Sequence, residues 1–193
     1  MAQGELRAAV AFGSVAATEA ALAAGASVNA PGPAGGWLPI HAASSQGHLG
    51  VLSLLIARRA DVNAPSGRLY AQPVHLAAKE GHVEVLEYLL DLRADIDATD
   101  REERRPISLA CQRAKLEVVK LLVERRADLL SPDEGRATPY DWAVSGLSVL
   151  GTDYEKSEQI CNLLEKHGAK VSGPCLGPLE RCPYASSRGA PNC

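Results

Sequence analysis

Apolar residues recur along this chain with helical rather than strand spacing. After His82 they fall at Val85, Leu86, Leu89 and Leu90, which is i, i+1, i+4 and i+5, a single stripe on a helix of 3.6 residues per turn. A shorter apolar segment comes just before, opened by Pro73 and closed at Gly81, and reads as a first helix and a turn. The same pair recurs. Leu6, Ile40, Val74, Ile107 and Tyr140 occupy one slot, at spacings of 34, 34, 33 and 33 residues. The closing phrases keep the same register: Gly25-Ala-Ser-Val-Asn, Arg59-Ala-Asp-Val-Asn, Arg93-Ala-Asp-Ile-Asp, Arg126-Ala-Asp-Leu-Leu and Gly168-Ala-Lys-Val. One such pair of short helices cannot bury its own stripe, so each must lean on its neighbours.

Pro73-Val-His-Leu-Ala-Ala78 resembles the Thr-Pro-Leu-His-x-Ala signature of the ankyrin repeat, and Leu38-Pro-Ile-His-Ala-Ala43 and Pro106-Ile-Ser-Leu-Ala-Cys111 are variants of it. The resemblance covers residues 4–173. It implies an all-α ankyrin-repeat solenoid of stacked helix-turn-helix units with short β-hairpin-like tips. Repeats are expected at about 4–30, 31–64, 65–97, 98–131 and 132–173, followed by a Pro- and Cys-containing flexible tail at 174–193.

The units differ in informative ways. In the first, the second helix around Ala16 to Ala24 has high helix propensity but little apolar surface, so it reads as a weak N-terminal cap. The fifth opens on Thr138-Pro-Tyr-Asp141, where Thr138 can cap, Pro139 suits the first helical position and Asp141 completes a capping box. Tyr140 and Ala169 are 29 residues apart, against 20 for Val74 and Ala94, which places an insertion near Ser145 to Asp153 and a second helix from about Tyr154 to His167. Arg59, Arg93 and Arg126 stand where the family usually has Gly. A left-handed residue is expected there, at a cost on the order of 1 kcal/mol each unless the cap differs. With Arg58 and Arg125 they would form a basic column beside an acidic one of Asp61, Asp95 and Asp128, read either as mutual neutralisation or as an anion site.

Composition narrows the function classes. A net charge of −3 gives no electrostatic reason to expect nucleic acid, and no apolar run approaches the ~18 residues needed for membrane insertion. Glu5 and Glu19 interrupt the Ala-rich start, which argues against a signal peptide. The five cysteines are odd in number and form no C-x-x-C pair, so free thiols in a reducing compartment, cytoplasmic or nuclear, are expected. The tail thiols Cys175, Cys182 and Cys193 leave open zinc, a disulfide, acylation or no role at all. No phosphate loop, nucleophile elbow or metalloprotease motif is present, so neither an enzyme nor a cofactor is expected. His41 and His75, and His48 and His82, each fall in a repeat slot. In the family the first slot bonds neighbouring repeats and the second steadies the inter-helix turn.

The family resemblance points to partner recognition on the concave side, formed by hairpin tips and first helices. The variable slots there hold Phe12, Trp37, Arg68, Leu69, Tyr70, Lys79, Arg101, Arg104, Gln112 and Arg113. Aromatic and Arg side chains are the usual interface anchors, although Phe12 and Trp37 could instead cover the N-terminal cap and Tyr70 could pack on a hairpin. The expected function is a monomeric, non-catalytic scaffold, adaptor or inhibitor binding a protein partner. The alternatives are a regulatory module of a larger enzyme or channel assembly, which the Met1 start weighs against, and a thiol- or metal-dependent tail. Asn29 and Asn63 also resemble hairpin asparagines that hydroxylases modify in this family.

Overall fold

The computed structural model describes residues 1–33, 36–147 and 154–170. Ten α-helices lie in these residues: α1 Ala2–Ala11, α2 Val15–Ala23, α3 Pro39–Gln46, α4 Leu49–Ala57, α5 Pro73–Glu80, α6 Val83–Asp91, α7 Pro106–Gln112, α8 Leu116–Glu124, α9 Pro139–Leu147 and α10 Tyr154–Lys166. Odd-numbered helices pack on one another in order, as do the even-numbered ones, and each odd helix packs on the even helix that follows it. The result is two parallel layers in one stack. Residues 148–153 of the expected fifth-repeat insertion and the whole of the expected tail lie outside the described residues.

The period found in the sequence is the core. Leu6, Ile40, Val74 and Ile107 are fully buried and Tyr140 nearly so, one from each odd helix. The even helices contribute Ala21, Leu55, Leu89, Leu122 and Leu164, also buried. Where later units place Leu52 and Leu86, the first unit has Thr18, whose buried hydroxyl is satisfied by donating to the Ser14 carbonyl at 2.7 Å. The first unit therefore offers the stack less apolar bulk than its successors, as its alanines predict. Thr138 and Asp141 form the expected capping box: the Thr138 amide and hydroxyl donate to Asp141 Oδ2 at 2.8 and 2.7 Å, and the Asp141 amide donates to Thr138 Oγ1 at 3.3 Å.

Even helices end alike. The amides of Gly25, Arg59, Arg93, Arg126 and Gly168 donate to Leu22, Ile56, Leu90, Val123 and Glu165, and the next residue's amide reaches one carbonyl further back. This is the Schellman pattern, and it needs a left-handed residue. Arg59, Arg93 and Arg126 accept that role at φ of 66°, 63° and 62°. The proposed neutralisation between the Arg and Asp columns is not what forms. Arg58 instead pairs with Glu19 at 3.0 Å, and Arg125 pairs with Glu87 and Asp91 at 2.9 Å each, reaching back to the preceding even helix. The short aspartates bond their own backbone: Asp61, Asp95 and Asp128 accept the amides of Asn63, Asp97 and Leu130 two residues on. Of these three, Asp128 alone meets an arginine, Arg105 at 3.8 Å.

The histidines bond in opposite directions along the stack. His41 and His75 reach forward, their Nε2 lying 3.0 and 3.2 Å from the Ala71 and Arg104 carbonyls of the next unit. His48 and His82 reach backward to the Ala11 and Ser45 carbonyls at 3.2 and 2.9 Å. A carbonyl only accepts, so Nε2 carries the hydrogen in each. His82 thus does more than steady its own turn. Its ring covers Gly47, where an added Cβ would lie 2.5 Å from Nδ1, and Gly47 sits at φ 75°. In the fourth unit Ser108 and Lys115 occupy these slots.

Candidate partner-binding surface

Each odd helix after α1 is entered through a tip closed by a backbone hydrogen bond: Gly32 to Trp37, Ser66 to Ala71, Asp100 to Arg104 and Asp133 to Ala137. The Ser66–Ala71 pairing is an isolated antiparallel bridge, so the tips are hairpin-like without strands among the described residues. Successive tips are also tied together. Ser66 Oγ donates to the Gly36 carbonyl at 3.1 Å, the Arg101 amide to Leu69 at 2.8 Å, and the Glu134 amide to Glu102 at 3.0 Å. The side chains on these tips therefore ride on a hydrogen-bonded backbone row.

Trp37 is 44% exposed and lies against the next tip, its Cδ1 and Nε1 3.4 Å from where a Cβ on Gly67 would stand. Leu69 and Tyr70 are 39% and 58% exposed. Tyr70 sits at φ 52°, in the slot that Glu103 and Arg136 fill at 57° and 66° in later tips. A bulky side chain in left-handed backbone is an outlier that persists only where its surroundings hold it. Arg68 and Arg101 are exposed, and neither makes an ion pair among the described residues. Lys79 and Gln112 are half-buried at the ends of α5 and α7, Lys79 lying 3.9 Å from Glu80, and Arg113 is the exposed C-cap of α7.

Two expected site residues have other neighbours than the tip row's partner face. Arg104 is not free: its guanidinium grips buried Asp100 Oδ2 at 3.0 and 2.8 Å and Glu102 at 2.9 Å, and its side chain is only 16% exposed. Asp100 also accepts the amides of Glu102 and Arg104 at 2.9 and 3.0 Å, so this carboxylate builds the tip from within. Asp133 does the same one unit later, accepting from Ala137 and from the Trp142 indole at 2.9 Å each. Both stand at the same distance before their helix proline, so the repeat register marks them in the sequence. Phe12, 85% exposed, lines a shallow groove of about 610 Å³ with Ala8, Ala17, Ala20 and Ala24 of α1 and α2, to which no later helix contributes. It caps α1 as Arg113 caps α7, and the groove it lines lies at the N-terminal end of the stack.

Asn29 and Asn63 tie neighbouring units, Asn29 Nδ2 donating to the Arg59 carbonyl at 3.3 Å and Asn63 Oδ1 accepting the Asp95 amide at 3.4 Å. Asp97 accepts the Asp128 amide likewise at 2.8 Å. Burial holds the imidazole of His41 down to about 4, against weaker opposing hydrogen bonds from backbone, and burial lowers His75 as well. Burial first, and Cys161 second, hold the Cys111 thiol well above its ordinary range, so it stays protonated and inert as a nucleophile. Among the described residues no three His, Cys, Asp or Glu side chains are grouped to hold a metal ion.

A two-layer stack of helix pairs that presents one row of tied tips defines a helical-repeat fold. The chain belongs to the ankyrin-repeat family. A family model described as ankyrin repeats in three copies matches residues 74–173, and one described as ankyrin repeats in many copies matches residues 6–56. Ankyrin repeats are generally protein–protein interaction modules and typically non-enzymatic. A search of curated proteins found no match to the chain. Among the described residues no helix is long and apolar enough to cross a membrane.

Proposed function

We propose that this chain is a non-catalytic interaction module, a scaffold, adaptor or inhibitor, whose repeat domain at residues 4–173 holds a protein partner on its concave face. It acts as a monomer in the cytoplasm or nucleus, without nucleic acid, cofactor or membrane insertion. The observation that carries this reading is the exposure of Trp37, Leu69 and Tyr70 on tips whose backbones are already tied. Preorganised apolar side chains lose little conformational entropy on binding and are the usual anchors of an interface. Arg68, Arg101 and Arg113 flank them, with Lys79 and Gln112 at the helix ends as adjacent polar contacts. Affinity purification with the wild type beside a Trp37→Ala/Tyr70→Ala variant tests it. The partner should be lost from the variant while the melting temperature hardly moves; retention of the partner would sink the reading.

A second reading rests on the Phe12 groove. An end face that is apolar and open favours a regulatory module stacked on another subunit of a larger assembly. Phe12→Ser would then abolish assembly while Trp37→Ala would not.

A further inference from the structure

The tip row is polarised in charge as well as in hydrophobicity. At the third tip the guanidinium of Arg104 is taken up by Asp100 and Glu102 at 2.8–3.0 Å, so one of the two carboxylate charges flanking Arg101 in the chain is neutralised from within. Arg101 is left exposed with no ion-pair partner among the described residues, and Arg68 is in the same condition one tip earlier. The 2.8 Å hydrogen bond from the Arg101 amide to Leu69 fixes these tips side by side, with Leu69 and Tyr70 between the two arginines in tip order. Trp37 closes the other side, against Gly67, and makes no side-chain hydrogen bond among the described residues. The free carboxylates of the row, Glu103 and Glu134, come only after Arg101. Arg136 stands exposed beside Glu134 on the last tip, so the row is apolar and cationic over its first two tips and mixed in charge beyond them.

We infer that the occupant of this face is an extended acidic segment of a partner protein, with an aromatic or aliphatic residue seated among Trp37, Leu69 and Tyr70 and its carboxylates on Arg68 and Arg101. This rests on the concave-face reading and sharpens it to a ligand chemistry. The apolar anchor supplies most of the affinity, because exposed ion pairs are individually weak. The arginines supply orientation, discrimination and association rate, and they respond to salt. A basic segment is rejected by the same two guanidinium groups.

Selection of random 12-residue displayed peptides on the full chain, followed by fluorescence anisotropy of the enriched sequences, tests this. Enriched peptides should carry Asp or Glu beside an apolar residue. They should bind at least tenfold more weakly to Arg68→Glu/Arg101→Glu, and more weakly in 0.5 M than in 0.1 M sodium chloride. Circular dichroism melting confirms that this variant folds. If the enriched peptides lack acidic residues but still need Trp37 and Tyr70, the inference is wrong and the concave-face reading stands. If they bind the Trp37→Ala/Tyr70→Ala variant as well as wild type, or none is enriched, both fail. A single-stranded DNA 20-mer or phosphatidylserine vesicles binding as tightly through the same arginines would also overturn it, since the face would then be a general polyanion site.

Discussion

The amide of Arg101 donates to the carbonyl of Leu69 at 2.8 Å, so the second and third tips are joined through backbone. Side chains on these tips can be exchanged without cutting that link. The proposed recognition and the stability of the fold are accordingly separable at this surface, and Tyr70 separates them most cleanly.

Tyr70→Gly removes an exposed ring and relieves left-handed backbone at φ 52°. A non-glycine residue in that region costs on the order of 1 kcal/mol, partly offset by the greater freedom of glycine in the unfolded chain. The variant should be as stable as wild type or up to about 1 kcal/mol more stable, and should bind the selected peptides or the purified partner poorly. Urea denaturation and a binding assay on the same preparation check both halves.

The three arginines that close α4, α6 and α8 should behave in the same way without any binding consequence. Arg59→Gly, Arg93→Gly and Arg126→Gly keep the Schellman hydrogen bonds and remove the strain at φ of 62° to 66°. Each should raise stability by roughly 0.5–1 kcal/mol, and the triple variant by the sum, because the sites are far apart. A triple variant with a lower urea midpoint would contradict this.

Acid should weaken the stack through the buried histidines. His41 is fully buried and its folded value, about 4, is below the 6.5 of the exposed group, so the unfolded chain binds more protons between those values. Stability is then complete above about pH 6.5 and falls as the pH drops toward 4. For His41 the loss is at most about 3 kcal/mol, at 1.36 kcal/mol per unit. His75 shifts in the same direction. His41→Gln/His75→Gln should be less stable at pH 7.5 yet show a flatter dependence of urea midpoint on pH between 6.5 and 5.

Asp100 and Arg104 should respond unequally. Asp100→Ala strips partners from two tip amides and from the Arg104 guanidinium, and should cost about 3 kcal/mol. Arg104→Ala leaves Asp100 holding the same two amides and should cost less. Thermal melts of the two single variants give the order.

Much of this could be read in the chain. The 33- to 34-residue period named the core column from Leu6 to Tyr140. The Pro-x-His phrases marked where helices begin, and Thr138 with Asp141 marked a cap. These are local rules: helical spacing, proline geometry and capping need only nearby residues, repeated in register. The left-handed arginines were legible for the same reason, since the Schellman slot is defined by the helix it ends.

Partner choice among charged and polar side chains was not legible, because it depends on which unit lies alongside. Arg58 answers Glu19 and Arg125 answers Glu87 and Asp91, each across one step of the stack. His48 and His82 turn back to the previous unit while His41 and His75 turn forward. Arg104 carries the same residue type as Arg101, yet folds inward onto Asp100, while Arg101 stays free. Phe12, at the end of its first helix, and Tyr70, on a tip, were both expected on the partner face, and only stacking shows that the groove Phe12 lines is made by α1 and α2 alone. The sequence determined the unit and the order in which units stack. Packing one unit on the next decided which side chains that stacking uses up and which remain for a partner.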